Sequence, residues 1–394
     1  MKQADLGRLA LQAQGLQQAS RFGSGFEGAT RCLQHLGYVQ VDAISVVQQA
    51  HHHVLFSRVP RFDSPMTHRL LAEGKAFEHW AHAAALMPME DFRYSLPYKH
   101  ALRDGQVHWY KDPDRDMMAG VLRRIRAEGP LRSSDFKSGG RKGGGWWDWK
   151  PAKQALEQLF MEGALMVASR EGGQKTYDLT ERVLPAGVDS EAPTLEEFAD
   201  RLVARHERAH GIFQVKHIAY GRKLAGLKAA VEENVASRLD AGELELVTDD
   251  DGSQFLASST LDLDEPPPVD DRLQILSPFD NAIIQRDRLL ELFGFDYRLE
   301  CFVPRAKRRY GYFCLPLLYA GRFVGRMDCK RHRKERRLEI LHFHLEVEDL
   351  DLADLAEALA DALPDFLVFQ ECDHVTLADT MDATATELRE AFMP

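Results

Sequence analysis

Apolar residues recur at helical spacing at the start of the chain, in Leu6, Leu9, Ala10, Ala13 and Leu16, which predicts an amphipathic helix. A Gly and Ser segment over 23–28 breaks it, and a second helix over about 26–36 stops at Gly37, a residue suited to the left-handed backbone that ends helices. The pattern then changes. Over 38–44 an extended backbone puts Tyr38, Gln40 and Asp42 on one face and Val39, Val41 and Ala43 on the other, because side chains alternate along a strand. Helices over 46–56 and 66–73 and a strand-like run, AFEHWAHAAALMP, complete a helix, helix, helix, strand, strand order. That is the order of a winged helix.

The order recurs twice. Residues 117–127 read as a helix, GPLRSSDF as a turn with a helix start, 151–161 as a third helix, and ALMVASR and TYDLTER as two strands joined by a wing, EGGQK. In the third copy Thr194 and Glu197 fit a capping box. Helices over 195–206, 215–220 and 227–239 follow, then strands ELELVTD and SQFLASS around a turn at 249–252. The linker DLDEPPPVDD stops both helix and sheet. Beyond it, YGYFCLPLLY, GRFVGRMDCK and RLEILHFHLEV alternate as strands, which predicts a compact β-barrel or curled sheet closed by an acidic helix over 352–363. The fold class is α+β: winged helices over 1–115, 116–188 and 189–265, then a β-barrel-like domain over 266–394.

Composition narrows the setting. The 394 residues are too many for one ordinary core, and no apolar run is long enough to span a bilayer. The start lacks a secretory pattern, so a cytoplasmic location is expected, associated with the nucleoid when bound to DNA. The five cysteines are scattered and read as reduced thiols. A net charge of −11 argues against a polyanionic partner until its distribution is examined. Residues 286–337 hold 15 Lys and Arg against 6 acids, whereas 338–394 hold 1 Arg against 15 acids. The signs are segregated. The basic block suits phosphates and the acidic tail suits solvent, although a solvated basic face with no ligand is the commoner fate of such a run.

Several stretches imitate motifs. GGRKGGG lacks the residues of a phosphate loop, so a flexible loop carrying Arg141 and Lys142 is expected. His51, His52 and His53 point in different directions on a helix, which is poor metal geometry, and read as surface or groove lining. His79 and His82 would face opposite ways on a strand, leaving His82 alone to line a polar site. Trp146, Trp147 and Trp149 suit packing better than base stacking. Gln40 and Asp42, an amide beside a carboxylate, suit holding a water and stabilising a nearby positive charge.

Together GYVQVDAI, VLFSRV, EHWAHAAALMP, GPLRSSDF, GGWWDWKPAKQALEQLF, LSPFDN, FDYRLECFVPRAKRRYGYFCLPLL and VGRMDCK resemble the bacterial crosslink-repair DNA glycosylases of the YcaQ type, also called AlkX, over nearly the whole chain. The resemblance implies tandem winged helices with a C-terminal β-barrel. It implies hydrolysis of the N-glycosidic bond to N7-alkylated guanine, including crosslinked guanine. The family motif, Gln, an apolar residue, then Gln or Asp, falls on Gln40, Val41 and Asp42 as the catalytic pair, with Tyr38, Trp80 and His82 lining the pocket. Arg58, Arg141, Lys142, Lys150, Lys153, Arg305, Lys307, Arg308, Arg309, Tyr310, Arg326 and Lys330 are the candidate DNA contacts, and 305–312 is a candidate hairpin for the minor groove. Alkylation makes the base a good leaving group, so the burden falls on the sugar cation, which Asp42 can stabilise while Gln40 holds the water or the base. With no lysine beside the pair, a monofunctional enzyme is expected. No cofactor, metal, membrane or obligate protein partner is implied; the partner is double-stranded DNA. The rival reading is a non-catalytic winged-helix regulator or lesion sensor.

Overall fold

The computed structural model describes residues 1–136, 149–171 and 173–378, with 149 and 150 defined by their backbone alone. In chain order these form α1 (Gln3–Ala13), α2 (Gly25–Leu36), β1 (Val39–Gln40), α3 (Ala50–Phe56), α4 (Pro65–Ala72), β2 (Ala76–Trp80), β3 (Ala84–Pro88), α5 (Leu96–Arg103), α6 (Arg115–Glu128), β4 (Leu131–Arg132) and α7 (Trp149–Met161). There follow β5 (Leu165–Glu171), β6 (Gln174–Leu179), α8 (Thr180–Val183), α9 (Leu195–His210), α10 (Val215–Ile218), α11 (Leu227–Asp240), β7 (Leu244–Thr248), β8 (Gln254–Ser258), β9 (Gln274–Ile275) and α12 (Arg286–Phe293). The chain ends with β10 (Cys314–Tyr319), β11 (Arg322–His332), β12 (Arg337–Leu345), α13 (Leu352–Phe369) and β13 (His374–Leu377). They gather into two compact units that cut across chain order: one from 1–63, 203–220 and 235 onward, the other from 64–202 and 221–234.

In the first unit α1 turns Leu6, Leu9 and Ala10 into a core with Ile212, Val247, Phe255 and Leu292, while Leu11 and Leu16 join Leu276, Ile283, Phe295 and Tyr297. The helical spacing of those N-terminal residues is thus spent on two adjoining clusters. A five-stranded sheet, ordered β13-β12-β11-β10-β9, is antiparallel except where β13 runs parallel to β12. Among the described residues it is an open sheet rather than a closed barrel. The helix that follows it, α13, starts on Asp351, whose carboxylate accepts from the N–H groups of Ala353 and Asp354, and runs past 363 to Phe369. It buries Leu355, Leu359, Leu363, Phe366 and Phe369 and leaves Asp354, Glu357, Asp361 and Asp365 exposed.

In the second unit α6 and α7 pack on the sheet β4-β6-β5 around Val121, Ile125, Leu156 and Leu165. The two expected strands are present as the antiparallel pair β5–β6. The run AFEHWAHAAALMP is not one strand but the hairpin β2–β3, reversed at 81–83 where the N–H of Ala81 donates to the carbonyl of Ala83 at 2.9 Å. The capping box of α9 is formed in both directions: Thr194 N–H donates to Glu197 Oε2 at 3.0 Å and Glu197 N–H to Thr194 Oγ1 at 3.2 Å. The helix expected over 46–56 begins only at Ala50.

Candidate active site

The segment carrying Gln40 and Asp42 leaves α2 through Gly37, whose φ of 75° closes the helix with its N–H on the Leu33 carbonyl. A Cβ at that position would lie 2.4 Å from Arg205 Cδ, so only glycine fits. Tyr38 is buried, its ring 5.2 Å beneath the Arg205 guanidinium, and its carbonyl accepts from Asn281 Nδ2 at 3.0 Å. Val39 is fully buried and Gln40 is 8% exposed. Strand geometry stops there. Ala43 is exposed and Val41 only half-buried, because Asp42 makes a turn: its Oδ1 accepts from the N–H of Ile44 at 2.7 Å. The other carboxylate oxygen carries no hydrogen bond or ion pair among the described residues, and the side chain is half-exposed.

Charge also reaches the site from 300–313. Burial pushes the Cys301 thiol up, the charge of Asp42 adds to that, and Arg308 opposes it. The segment that follows Asp42 lies against the strand that anchors the loop: the N–H of Arg331 on β11 donates to the Val46 carbonyl at 2.7 Å, and Asp328 on the same strand holds Tyr312 and Phe313. The loop is not a β-hairpin, contrary to the expectation for 305–312. It contains a short 3-10 turn, Arg305–Lys307, and is tied down by two carboxylates. Glu300 accepts from the N–H groups of Arg309 (2.9 Å), Tyr310 (2.8 Å) and Gly311 (3.2 Å), and Asp328 from those of Tyr312 (2.7 Å) and Phe313 (3.0 Å). Burial alone would raise the Glu300 carboxyl; the three backbone donors hold it below the usual range. Sequence spacing gives no sign of these ties, since each carboxylate serves backbone 9 to 16 residues away.

The basic block divides into two kinds of cation. Arg326 is a structural residue: its side chain is 1% exposed, it pairs with Glu346 at 2.5 Å, and it lies 3.9 Å over the Tyr310 ring. Arg58 is buried too, its guanidinium held bidentately by Asp280 at 2.6 and 2.7 Å and by the carbonyls of Gln14 and Val54. Neither can reach a phosphate, which corrects both as DNA contacts. By contrast Arg305, Lys307, Arg309, Lys330, Arg333 and Lys334 are exposed and form no ion pair among the described residues. Arg308 and Tyr310 are half-buried in the loop, Arg308 lying 4.8 Å over the Tyr312 ring.

Trp80, His82 and Lys153 belong to the second unit. Trp80 lines a cavity of about 490 Å³ with Trp109, Phe160, Tyr177 and Lys153, the last 3.8 Å from Glu157. His82 sits in the β2–β3 turn against Gly221. Arg141, Lys142, Trp146 and Trp147, and the side chains of Trp149 and Lys150, lie outside the described residues. His51, His52 and His53 are not surface residues: all three are buried, and His53 Nε2 bonds the Ile275 carbonyl at 2.8 Å. Phe302, an aromatic left 88% exposed between Cys301 and the cations of the loop, is the residue that pattern reading overlooks.

A half-exposed carboxylate fixed by one backbone bond and a braced loop of exposed cations, in an α+β chain, are features suited to a polyanionic substrate. Residues 33–368 match the family described as DNA glycosylase AlkZ-like, and the chain belongs to that family and is a DNA glycosylase. Its fold resembles that of the Streptomyces sahachiroi DNA glycosylase AlkZ, with a TM-score of 0.61 and 16% identity over 96% of this chain and 100% of that one. Among the described residues no helix is long and apolar enough to cross a membrane.

Proposed function

We propose that this glycosylase hydrolyses the N-glycosidic bond of N7-alkylated guanine in double-stranded DNA, including guanine tied into interstrand crosslinks, and that it is monofunctional. N7 alkylation leaves the purine cationic, so departure of the base needs no strong general acid. The cation that forms on the sugar needs a fixed negative charge, and the water that captures it needs a base. Asp42 has one oxygen held by Ile44 and the other open, an arrangement that orients the carboxylate and leaves it available. That open oxygen is the observation on which the reading rests. Gln40, two residues earlier on the same segment, supplies an amide that can hold the water or the leaving purine.

A guanine tethered to the opposite strand cannot swing freely into a closed pocket, so the site must be reached from outside. The half-exposure of Asp42 meets that need. In this reading three winged helices over 1–115, 116–188 and 189–265, followed by 266–394, provide the DNA-facing framework, with Arg305, Lys307, Arg309 and Lys330 on phosphates. The test is a duplex containing 7-methylguanine or a nitrogen-mustard crosslink. The wild type should release free base and leave the strand intact until alkali is added; Asp42→Asn should lower single-turnover release by about 100-fold or more. Asparagine keeps an oxygen for the Ile44 N–H, so the turn survives and the loss reports chemistry. Full activity in Asp42→Asn, or strand cleavage without alkali, overturns the reading.

A further inference from the structure

Phe302 is the most exposed large apolar side chain among the described residues, at 88%. Isolated apolar residues on a surface are ordinary; the setting of this one is not. Its backbone is braced on both sides. The N–H of Val303 donates to the Glu300 carbonyl at 2.9 Å, that of Lys307 to the Pro304 carbonyl at 2.8 Å, and Arg308 Nε to the Val303 carbonyl at 2.8 Å. The Glu300 carboxylate then gathers the N–H groups of 309–311. A floppy loop would fold its phenyl ring back on apolar surface; this turn holds the ring out in water.

Its neighbours carry positive charge. Arg305, Lys307 and Arg309 are exposed and form no ion pair among the described residues. The loop and the Asp42 segment meet on β11, where Arg331 N–H donates to the Val46 carbonyl at 2.7 Å and Asp328 holds Tyr312 and Phe313, and Cys301, the preceding residue, feels the charge of Asp42. A rigid aromatic tip, flanked by cations that suit phosphates and adjoining the catalytic carboxylate, has the composition of an apolar wedge for a base stack.

We infer that Phe302 enters the stack of the bound duplex next to the target nucleotide, filling the gap opened when the modified guanine tilts toward Asp42. The inference rests on the glycosylase reading above and adds to it a positioning residue, one that touches a neighbouring base and not the reacting bond. Its occupant is the face of a base, so size and flatness matter and charge does not. Tryptophan should substitute, leucine in part, and alanine should fail.

The experiment places 2-aminopurine 3′ or 5′ to 7-methylguanine and follows both fluorescence and single-turnover base release for the wild type, Phe302→Ala, Phe302→Trp and Asp42→Asn. Brightening is expected with the wild type and Asp42→Asn and should be lost in Phe302→Ala, whose release rate falls about 10-fold while Phe302→Trp stays near wild type. Because the side chain is almost wholly exposed, Phe302→Ala should keep the wild-type melting curve, which circular dichroism checks. Wild-type fluorescence and wild-type release in Phe302→Ala remove the wedge and leave the glycosylase intact. Brightening that depends on Phe302 in a wild-type chain releasing no base keeps the wedge and removes the proposed substrate.

Discussion

Arg58 and Asp280 stand 222 positions apart and neither side chain meets solvent. The guanidinium spends its donors on both Asp280 oxygens, on the Gln14 and Val54 carbonyls and on the Gln14 amide oxygen at 3.3 Å. Asp280 also accepts from the N–H of Ala282 at 2.9 Å. Such a network gains little over an apolar filling of the same shape, but removing one member strands the other charge. Arg58→Met is therefore expected to lower unfolding free energy in urea by about 3–5 kcal/mol. The folded fraction should keep its affinity for DNA; a selective loss of affinity at unchanged stability would contradict the burial. Sequence alone makes Arg58 look like a phosphate contact because its partner is remote along the chain. The turn at Asp42 is missed although its partner Ile44 is a near neighbour, because the alternating pattern of 38–44 reads as a strand.

At the scale of elements, two helices contribute histidines that the fold holds neutral. Burial drives His53 of α3 down to about 4, only partly offset by its bond to the Ile275 carbonyl, and burial with the charges of Arg288 and Lys216 drives His217 of α10 down to about 3. Above pH 6.5 both states carry neutral imidazole and nothing is gained or lost. Below it the unfolded chain takes up protons that the folded chain refuses, so stability drains as pH falls from 6.5 toward 4. Each residue should cost on the order of 2 kcal/mol by pH 5, read as a lower urea midpoint at pH 5 than at pH 7.5. Replacing His53 with glutamine should flatten that slope. The helix ends themselves were readable wherever a local cap signs them, as Gly37 and the Thr194 with Glu197 pair do. The β2–β3 hairpin was not, because its turn is Ala81, His82 and Ala83, with none of the residues that normally mark a reversal.

Taken across the first unit, the segregation of charge along the chain persists in three dimensions only after the structural arginines are set aside. Arg322, Arg326, Arg336 and Arg337 are each paired with a carboxylate, so the run that reads as one basic patch leaves six exposed cations without an ion pair among the described residues. Changing Arg305, Lys307 and Arg309 together to glutamine should reduce the slope of log affinity against log salt by roughly 3. Arg326→Gln should instead lower the melting temperature. Equal salt slopes for the triple variant and wild type would show that the loop does not touch phosphate. Pattern reading recovers several of the helices and the charge map along the chain, because both are local sums. It does not tell ion pairs from free ions, which only the folded partners decide.

The exposed row of Asp354, Glu357, Asp361 and Asp365 on α13 then acquires a role without any ligand. A polyanion drifting toward that helix is turned away, while one drifting toward 305–309 is drawn in. Repulsion and attraction of this kind should bias an approaching duplex before any atom touches, an orientation set in the diffuse ion atmosphere that added salt should erase.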